Sequence, residues 1–126
     1  MSKIAITSPK LTPPVGPFSQ AIKVDGFIYF SGQVGQDPAT GKLVTGGVAA
    51  ETERLFQNLS AVLEEAGKGF DDVVRAGVYL TSMSDYAAVN AIYAKHFSQP
   101  FPARTAIGVA ALPLGASVEI DLVVKA

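Results

Sequence analysis

The chain has 126 residues, of which 48% are hydrophobic and 17% are charged, and its net charge at pH 7 is −1. This length is typical of one domain that buries a core without disulfides. The absence of cysteine excludes disulfides, thiolate metal sites and cysteine nucleophiles. The nearly neutral charge argues against a nucleic-acid surface, and no apolar run is long enough to span a membrane.

Two further features of composition bear on location and assembly. The first residues lack the long apolar run of a secretory signal peptide, so we expect a cytoplasmic protein. Charged residues make up less than the usual quarter of the chain. We therefore expect part of the surface to be hidden against other copies of the chain.

The first half of the chain predicts three strands and a long helix. An initial strand covers Lys3–Ile6. Asp25-Gly26 predicts a hairpin turn between strands Gln20–Val24 and Phe27–Ser31, because both turn residues tolerate positive φ. Apolar residues at steps of three and four then predict a helix over Val48–Ala66, followed by a glycine suited to a left-handed cap.

The second half predicts a strand over Asp72–Leu80, a helix over Asp85–Phe97 and strands over Ala103–Val109 and Ser117–Val124. Pro100 prevents the helix from continuing. This order of elements predicts one α+β domain over residues 1–126, with both helices on one face of a mixed sheet. Self-association would cover the other face.

The single histidine offers little chemistry. His96 has polar neighbours, which favours a solvated surface position. One histidine without cysteine cannot build a zinc site. A Ser-His-Asp triad would lack its usual Gly-x-Ser-x-Gly motif, and no phosphate-binding loop is present.

Arg104 and Glu119 remain as candidates for chemistry. An arginine fork matches a carboxylate with two parallel hydrogen bonds, and a nearby glutamate could orient or activate a water molecule. The alternative is a salt bridge between the two residues across paired strands. Spacing alone favours that salt bridge, because most charged residues on sheets are solvated or paired.

Five segments carry a pattern that runs in order over nearly the whole chain and is specific only as a set. They are Gly16-Pro17-Phe18-Ser19-Gln20-Ala21, Phe30-Ser31-Gly32-Gln33, Val89-Asn90 with Tyr93 and Phe97, Phe101-Pro102-Ala103-Arg104-Thr105, and Val118-Glu119-Ile120. Together they resemble the motifs of the RidA (YjgF-type) family.

The resemblance implies a fold and an activity. The fold is a chorismate-mutase-like α+β domain with a mostly antiparallel sheet, assembled as a homotrimer around a central barrel with clefts between subunits. The activity is that of a 2-iminobutanoate/2-iminopropanoate deaminase, a hydrolase that converts imines and enamines formed from 2-aminoacrylate to 2-keto acids and ammonia. No cofactor or metal is implied, and the partners are small 2-imino or 2-keto acids and other subunits, not nucleic acid or membranes.

The resemblance also implies roles for individual residues. Arg104 would hold the substrate carboxylate, and Glu119 would orient water or move a proton. Ser31 and the Gly32 backbone would line the pocket, and ligands would stack against Tyr86.

Three more positions belong to the expected binding site. Asn90 matches the family asparagine and would either contact the ligand or tie down a neighbouring loop. Phe18 stands where the family has tyrosine, so the ring is kept and the hydroxyl is lost. Ala106 stands where many members have cysteine, which excludes a thiol, although its carbonyl could hold a water molecule.

Two other functions stay open at this point. One is a non-catalytic module or sensor that binds small carboxylates or keto acids, which the changes at Phe18 and Ala106 favour. The other is ribonuclease activity, which is attributed to some relatives. The lack of a basic stripe argues against it, since binding to a phosphate backbone requires clustered lysine and arginine.

Overall fold

The computed structural model describes residues 2–126, which form a six-stranded mixed sheet and two α-helices. The strands are β1 Ile4–Ile6, β2 Ala21–Val24, β3 Phe27–Gln33, β4 Val73–Leu80, β5 Ala103–Gly108 and β6 Val118–Lys125, and the helices are α1 Val48–Glu65 and α2 Tyr86–Tyr93. The order across the sheet is β1-β2-β3-β6-β4-β5. Only β4 and β5 run parallel. The predicted α+β class and mixed sheet are confirmed.

The predicted hairpin forms at Asp25-Gly26, where Val24 pairs with Phe27 across a two-residue turn. Of the two turn residues, only Asp25 has a positive φ, which is 51°. Strand β3 then alternates between exposed and buried side chains. It continues past the predicted end at Ser31, because a bulge restores pairing with β6 at Gln33.

Helix α1 supplies the centre of the core. Leu55, Leu59 and Val62 have no exposed surface, as the predicted apolar stripe requires. Gly67 has φ 71° just past the helix, and its N–H donates to the carbonyl of Glu64 at 3.0 Å. The left-handed residue is therefore the predicted glycine, although the helix itself ends at Glu65, one residue before the predicted end.

Strands β1, β2, β4 and β5 each differ from the prediction by one residue at one end, and β6 is shifted by one residue at both ends. Strand β4 begins at Val73 because the preceding Asp72 closes a 3₁₀ turn, in which its carboxylate accepts a hydrogen bond from the Gly69 N–H at 2.9 Å. Strand β2 begins after Gln20, whose side-chain oxygen accepts a hydrogen bond from the Ser8 N–H at 2.7 Å.

The prediction of a second helix to Phe97 is wrong at its C-terminal end. Helix α2 ends at Tyr93, and the N–H groups of Lys95 and His96 bond to carbonyls three residues back, as from His96 to Tyr93 at 3.1 Å. Such tightening is common in a final helical turn. It brings the Phe97 ring into the core beside Phe56, at 6.1 Å between ring centroids.

The surface position predicted for His96 is also wrong. Its ring is half-buried and stacks flat on Phe56, with 4.2 Å between ring centroids and 4° between planes. Burial lowers the pKa of His96 below its ordinary value. The histidine is therefore a packing residue at the junction of the two helices.

A buried amide connects α1 to the loop that follows β3. Asn58 is 1% exposed, and its side-chain N–H groups donate to the carbonyls of Val34 at 3.2 Å and Gln36 at 3.0 Å. Its oxygen accepts two hydrogen bonds from Arg54. Every polar atom of the amide is therefore satisfied inside the protein.

We expect Asn58→Ala to lower the free energy of unfolding by about 1–3 kcal/mol, because the hydrogen bonds of a buried amide to two loop carbonyls and to Arg54 are lost. Urea unfolding at a fixed protein concentration measures the change. Gln57→Ala, on the exposed face of the same helix, is the matched control and should stay within about 0.5 kcal/mol of the wild type. Equal effects of the two substitutions would contradict this role for Asn58.

Candidate functional site

Arg104 lies on the edge strand β5 and points to the helix-covered face of the sheet. Its neighbour on β4 is Ala76, which is fully buried beneath the helices. The half-buried guanidinium donates one hydrogen bond to the side-chain oxygen of Asn90 and another to the hydroxyl of Tyr86, each at 2.6 Å. Two side chains of helix α2 therefore accept hydrogen bonds from the two terminal nitrogens of the guanidinium.

Tyr93 completes the surroundings of the guanidinium, although it was not among the site residues predicted from the sequence. Its ring centroid lies 4.8 Å from the guanidinium carbon of Arg104, and that of Tyr86 lies 5.5 Å away, within cation–π range. The signal was available, because positions 86, 90 and 93 follow the helical spacing that places side chains on one face. Burial raises the pKa of Tyr93, and the charge of Arg104 opposes that rise.

A cleft of about 330 Å³ opens beside Arg104. Its lining residues are Asn90, Tyr93, Ala94, Phe101, Pro102 and Arg104. Neither of the two ion pairs within residues 2–126 involves Arg104. A half-buried cation with neutral partners, next to an apolar cleft, suits a small carboxylate with a short apolar chain.

Glu119 belongs to a different group of residues, on the open face of the sheet. Its carboxylate lies directly over Gly32, where a methyl group would overlap it. The hydroxyl of the neighbouring Ser31 donates a hydrogen bond to the carbonyl of Ser19 at 2.6 Å. Phe18, which precedes Ser19 in the chain, is 55% exposed. Burial raises the pKa of Glu119, and the nearby negative charge of Asp121 raises it further.

The salt bridge between Arg104 and Glu119 that spacing favoured does not form. Strand β4 lies between β5 and β6, so the two residues are not on paired strands. Glu119 is in register with Tyr79, whereas Arg104 is in register with Ala76, three residues away. Because side chains alternate between faces, this odd offset puts the arginine and the glutamate on opposite sides of the sheet.

The expected site residues thus divide into two groups. Arg104 meets Tyr86 and Asn90 of α2 on the helix-covered face of the sheet. The partly buried Ala106 lies two residues beyond Arg104 on the same face of β5. The others lie apart from them: Glu119, Gly32, Ser31 and Phe18. Within residues 2–126 no group of histidine, aspartate or glutamate has the arrangement of a metal site, and no helix is long and apolar enough to cross a membrane.

Comparison with known proteins identifies the family. Residues 9–126 match the family model described as endoribonuclease L-PSP. The chain belongs to this family, the YjgF/RidA family. The RidA resemblance seen in the motifs is therefore confirmed.

Individual relatives cover nearly the whole chain. A human protein named 2-iminobutanoate/2-iminopropanoate deaminase is 46% identical over 94% of this chain and 86% of its own length. A RutC family protein of Pyrococcus abyssi is 42% identical over 98% and 97%. The crystal structure of RidA from Psychrobacter sp. PAMC 21119 superimposes with a TM-score of 0.92 at 42% identity, over 98% of this chain and 99% of that one.

The close approach at Gly32 predicts the effect of adding a side chain there. Gly32→Ala should push the Glu119 carboxylate toward solvent, and the pKa of Glu119 should fall toward its ordinary value because burial now raises it. Carbon-13 NMR of the glutamate carboxyl groups as a function of pH measures this. Gly26→Ala is the control, since a methyl group there meets nothing within 4 Å. An unchanged titration of Glu119 in Gly32→Ala would contradict the contact.

Proposed function

We propose that this protein is a cofactor-independent imine deaminase that hydrolyses 2-iminopropanoate and 2-iminobutanoate to the corresponding 2-keto acids and ammonia. The observation that carries the proposal is the half-buried guanidinium of Arg104, which has no carboxylate partner among residues 2–126 and borders an apolar cleft. The name of the human relative supports the choice of substrate.

A working site of this kind needs residues from two copies of the chain. Arg104 and Glu119 lie on opposite faces, about 10 Å apart across the strands and about 10 Å apart along them. A substrate with three or four carbon atoms cannot contact both in one subunit. We therefore propose that Arg104 of one subunit and Glu119 of the next face the same cleft.

The open face of the sheet supports assembly. Phe27, Tyr29 and Ile107 are each between 44% and 49% exposed, and all three lie on the side that no helix covers. Burying such side chains stabilises an interface by about 25 cal/mol per Å² of apolar surface. We propose a homotrimer in which these faces form a central barrel, and light scattering would measure its mass.

The proposed reaction requires the protein mainly to position the substrate and a water molecule. Arg104 anchors the carboxylate of the protonated imine, whose carbon is already electrophilic. The oxygen of a water molecule bonds to that carbon, and Glu119 accepts a proton from the water. Glu119 then passes the proton to the amine nitrogen, and the carbon–nitrogen bond breaks with its electron pair leaving on ammonia. The hydroxyl group gives its proton to Glu119 as the carbonyl forms, and ammonia takes up that proton and leaves as ammonium.

Four residues support this step without taking part in proton transfer. Asn90 and Tyr86 hold the guanidinium, and the Tyr86 ring offers a surface against which the substrate stacks. Ser31 and the Gly32 backbone line the wall near Glu119. Phe18 has no hydroxyl to bind water.

Water near the reacting carbon would instead be held by the carbonyl of Ala106. This residue lies two positions beyond Arg104 on the same strand face and has no side-chain donor or acceptor. The changes at Phe18 and Ala106 therefore affect the rate and the range of substrates. Binding of the substrate carboxylate by Arg104 does not depend on Phe18 or on the side chain of Ala106.

Arg104→Ala should lower kcat/KM for 2-iminopropanoate by about tenfold to a hundredfold or more, because a charged hydrogen-bonded contact contributes about 1.5–3 kcal/mol. An amino-acid oxidase generates the imine, and its disappearance is followed against spontaneous hydrolysis. Lys42→Ala removes an exposed positive charge elsewhere and should have no effect. Arg104→Lys keeps the charge without the fork and should fall between the two.

The outcomes separate the proposal from its alternatives. Full activity in Arg104→Ala would refute its assigned role. Tight binding of 2-keto acids by the wild type with no acceleration of imine hydrolysis would identify a binding module or sensor instead. Location in the cytoplasm and the lack of nucleic-acid and membrane partners stay predictions, although the matched family model is described as an endoribonuclease.

A further inference from the structure

A tyrosine and an aspartate form a cross-strand pair next to Glu119. On the open face, Tyr79 of β4 is in register with Glu119 of β6, and Gly77 is in register with Asp121. The Tyr79 hydroxyl reaches diagonally and donates a hydrogen bond to the Asp121 carboxylate at 2.9 Å. The two bonded residues are therefore diagonal neighbours on paired strands, not residues directly opposite each other.

Gly77 makes that reach possible. A methyl group at this position would overlap the Asp121 carboxylate and would lie 2.7 Å from the Tyr79 hydroxyl oxygen. Any larger residue would separate the two groups. A glycine in the middle of a strand weakens it, so its occurrence here is consistent with the need for close approach.

The bond to Tyr79 fixes a negative charge beside Glu119. Asp121 and Glu119 are two residues apart on one strand, so their side chains share a face at a spacing of about 7 Å. The Tyr79 hydroxyl stays a neutral donor, because its hydrogen bond to Asp121, burial and the charge of Asp121 all raise its pKa. Arg75, farther along the same face, carries the opposite charge and bonds to backbone and Thr105.

The environment of Glu119 makes it sensitive to this neighbour. Its side chain is half-buried over the Gly32 backbone, and no cation lies within 4 Å of it among residues 2–126. Burial is the larger reason that the pKa of Glu119 is raised, and the charge of Asp121 is the other. A neighbouring negative charge makes such a carboxyl group release its proton less readily.

We propose that Asp121, held by Tyr79 across Gly77, is a positioning residue that sets how readily Glu119 takes up and gives back the proton of the attacking water. The inference rests on the proposed function for its role in turnover. The electrostatic coupling between Asp121 and Glu119 can be measured without any substrate. A merely structural tyrosine–aspartate pair would stabilise the sheet and leave the titration of Glu119 unchanged.

The direct test is the carbon-13 NMR titration of the Glu119 carboxyl group in the full-length protein, with the resonance assigned by its loss in Glu119→Gln. Asp121→Asn should lower the proton affinity of Glu119 by about threefold to tenfold, as expected for a unit charge about 7 Å away in a partly solvated site. Tyr79→Phe should give a smaller decrease in the same direction, because Asp121 is then free to turn away.

Asp25→Asn is the matched control. It makes the same change of charge on an exposed turn of the same sheet, and asparagine tolerates the positive φ of that position. The control should leave the titration of Glu119 unchanged. If Asp121→Asn does not fold, Tyr79→Phe still tests the inference, because it removes only a hydroxyl.

Activity provides a second readout. The limb of the kcat/KM–pH profile that is absent in Glu119→Gln should move to lower pH in Asp121→Asn, with binding of 2-keto acid by Arg104 unchanged. An unmoved Glu119 titration in both variants would overturn the inference, whatever the activity. A wild type that shows the coupling but no imine hydrolysis would overturn the proposed function instead.

Discussion

The positive charge of Arg104 is the feature on which the candidate site depends. Removing a guanidinium from water is costly unless its donors are satisfied and its charge is balanced. Asn90 and Tyr86 satisfy two donors with neutral oxygens, and two aromatic rings face the cation. In the part of the chain that the structure describes, no ion pair supplies the balancing charge, so an anion from outside would complete the arrangement.

The alternation of side chains along the strands explains why one subunit holds only part of the proposed machinery. With β4 between β5 and β6, the rows that contain Arg104 and Glu119 point to opposite faces. The arginine lies beside α2 on the helix-covered face, and the glutamate lies on the open face that also carries the exposed Phe27, Tyr29 and Ile107. Assembly and catalysis are therefore linked in this proposal, since the face that attracts another copy also carries the proton-transfer group.

Local chemistry in the sequence was enough to predict most elements. The Asp25-Gly26 turn, the stripe of α1 and its glycine end depend on residues close together in the chain, and each has the predicted form. The end of α2 and the burial of His96 depend on stacking against Phe56 from another helix. No periodicity within the second helix could reveal that contact.

The site was predictable only in part, for a similar reason. Motif resemblance placed Arg104, Asn90 and Tyr86 in one site, and the structure shows them in contact. The relation of Arg104 to Glu119 depends on strand order, which the sequence does not reveal, so spacing favoured a salt bridge that does not exist. The Tyr79–Asp121 pair depends on register as well, since only pairing of β4 with β6 brings Gly77 opposite Asp121.

The most direct measurement of the central claim is a crystal structure of the protein with bound 2-oxobutanoate. We expect the ligand carboxylate to lie on the guanidinium of Arg104, with Asn90 and Tyr86 still bonded to it and Glu119 of another subunit facing the keto carbon. A ligand bound elsewhere, with the Arg104 guanidinium left to its two neutral partners, would contradict the account.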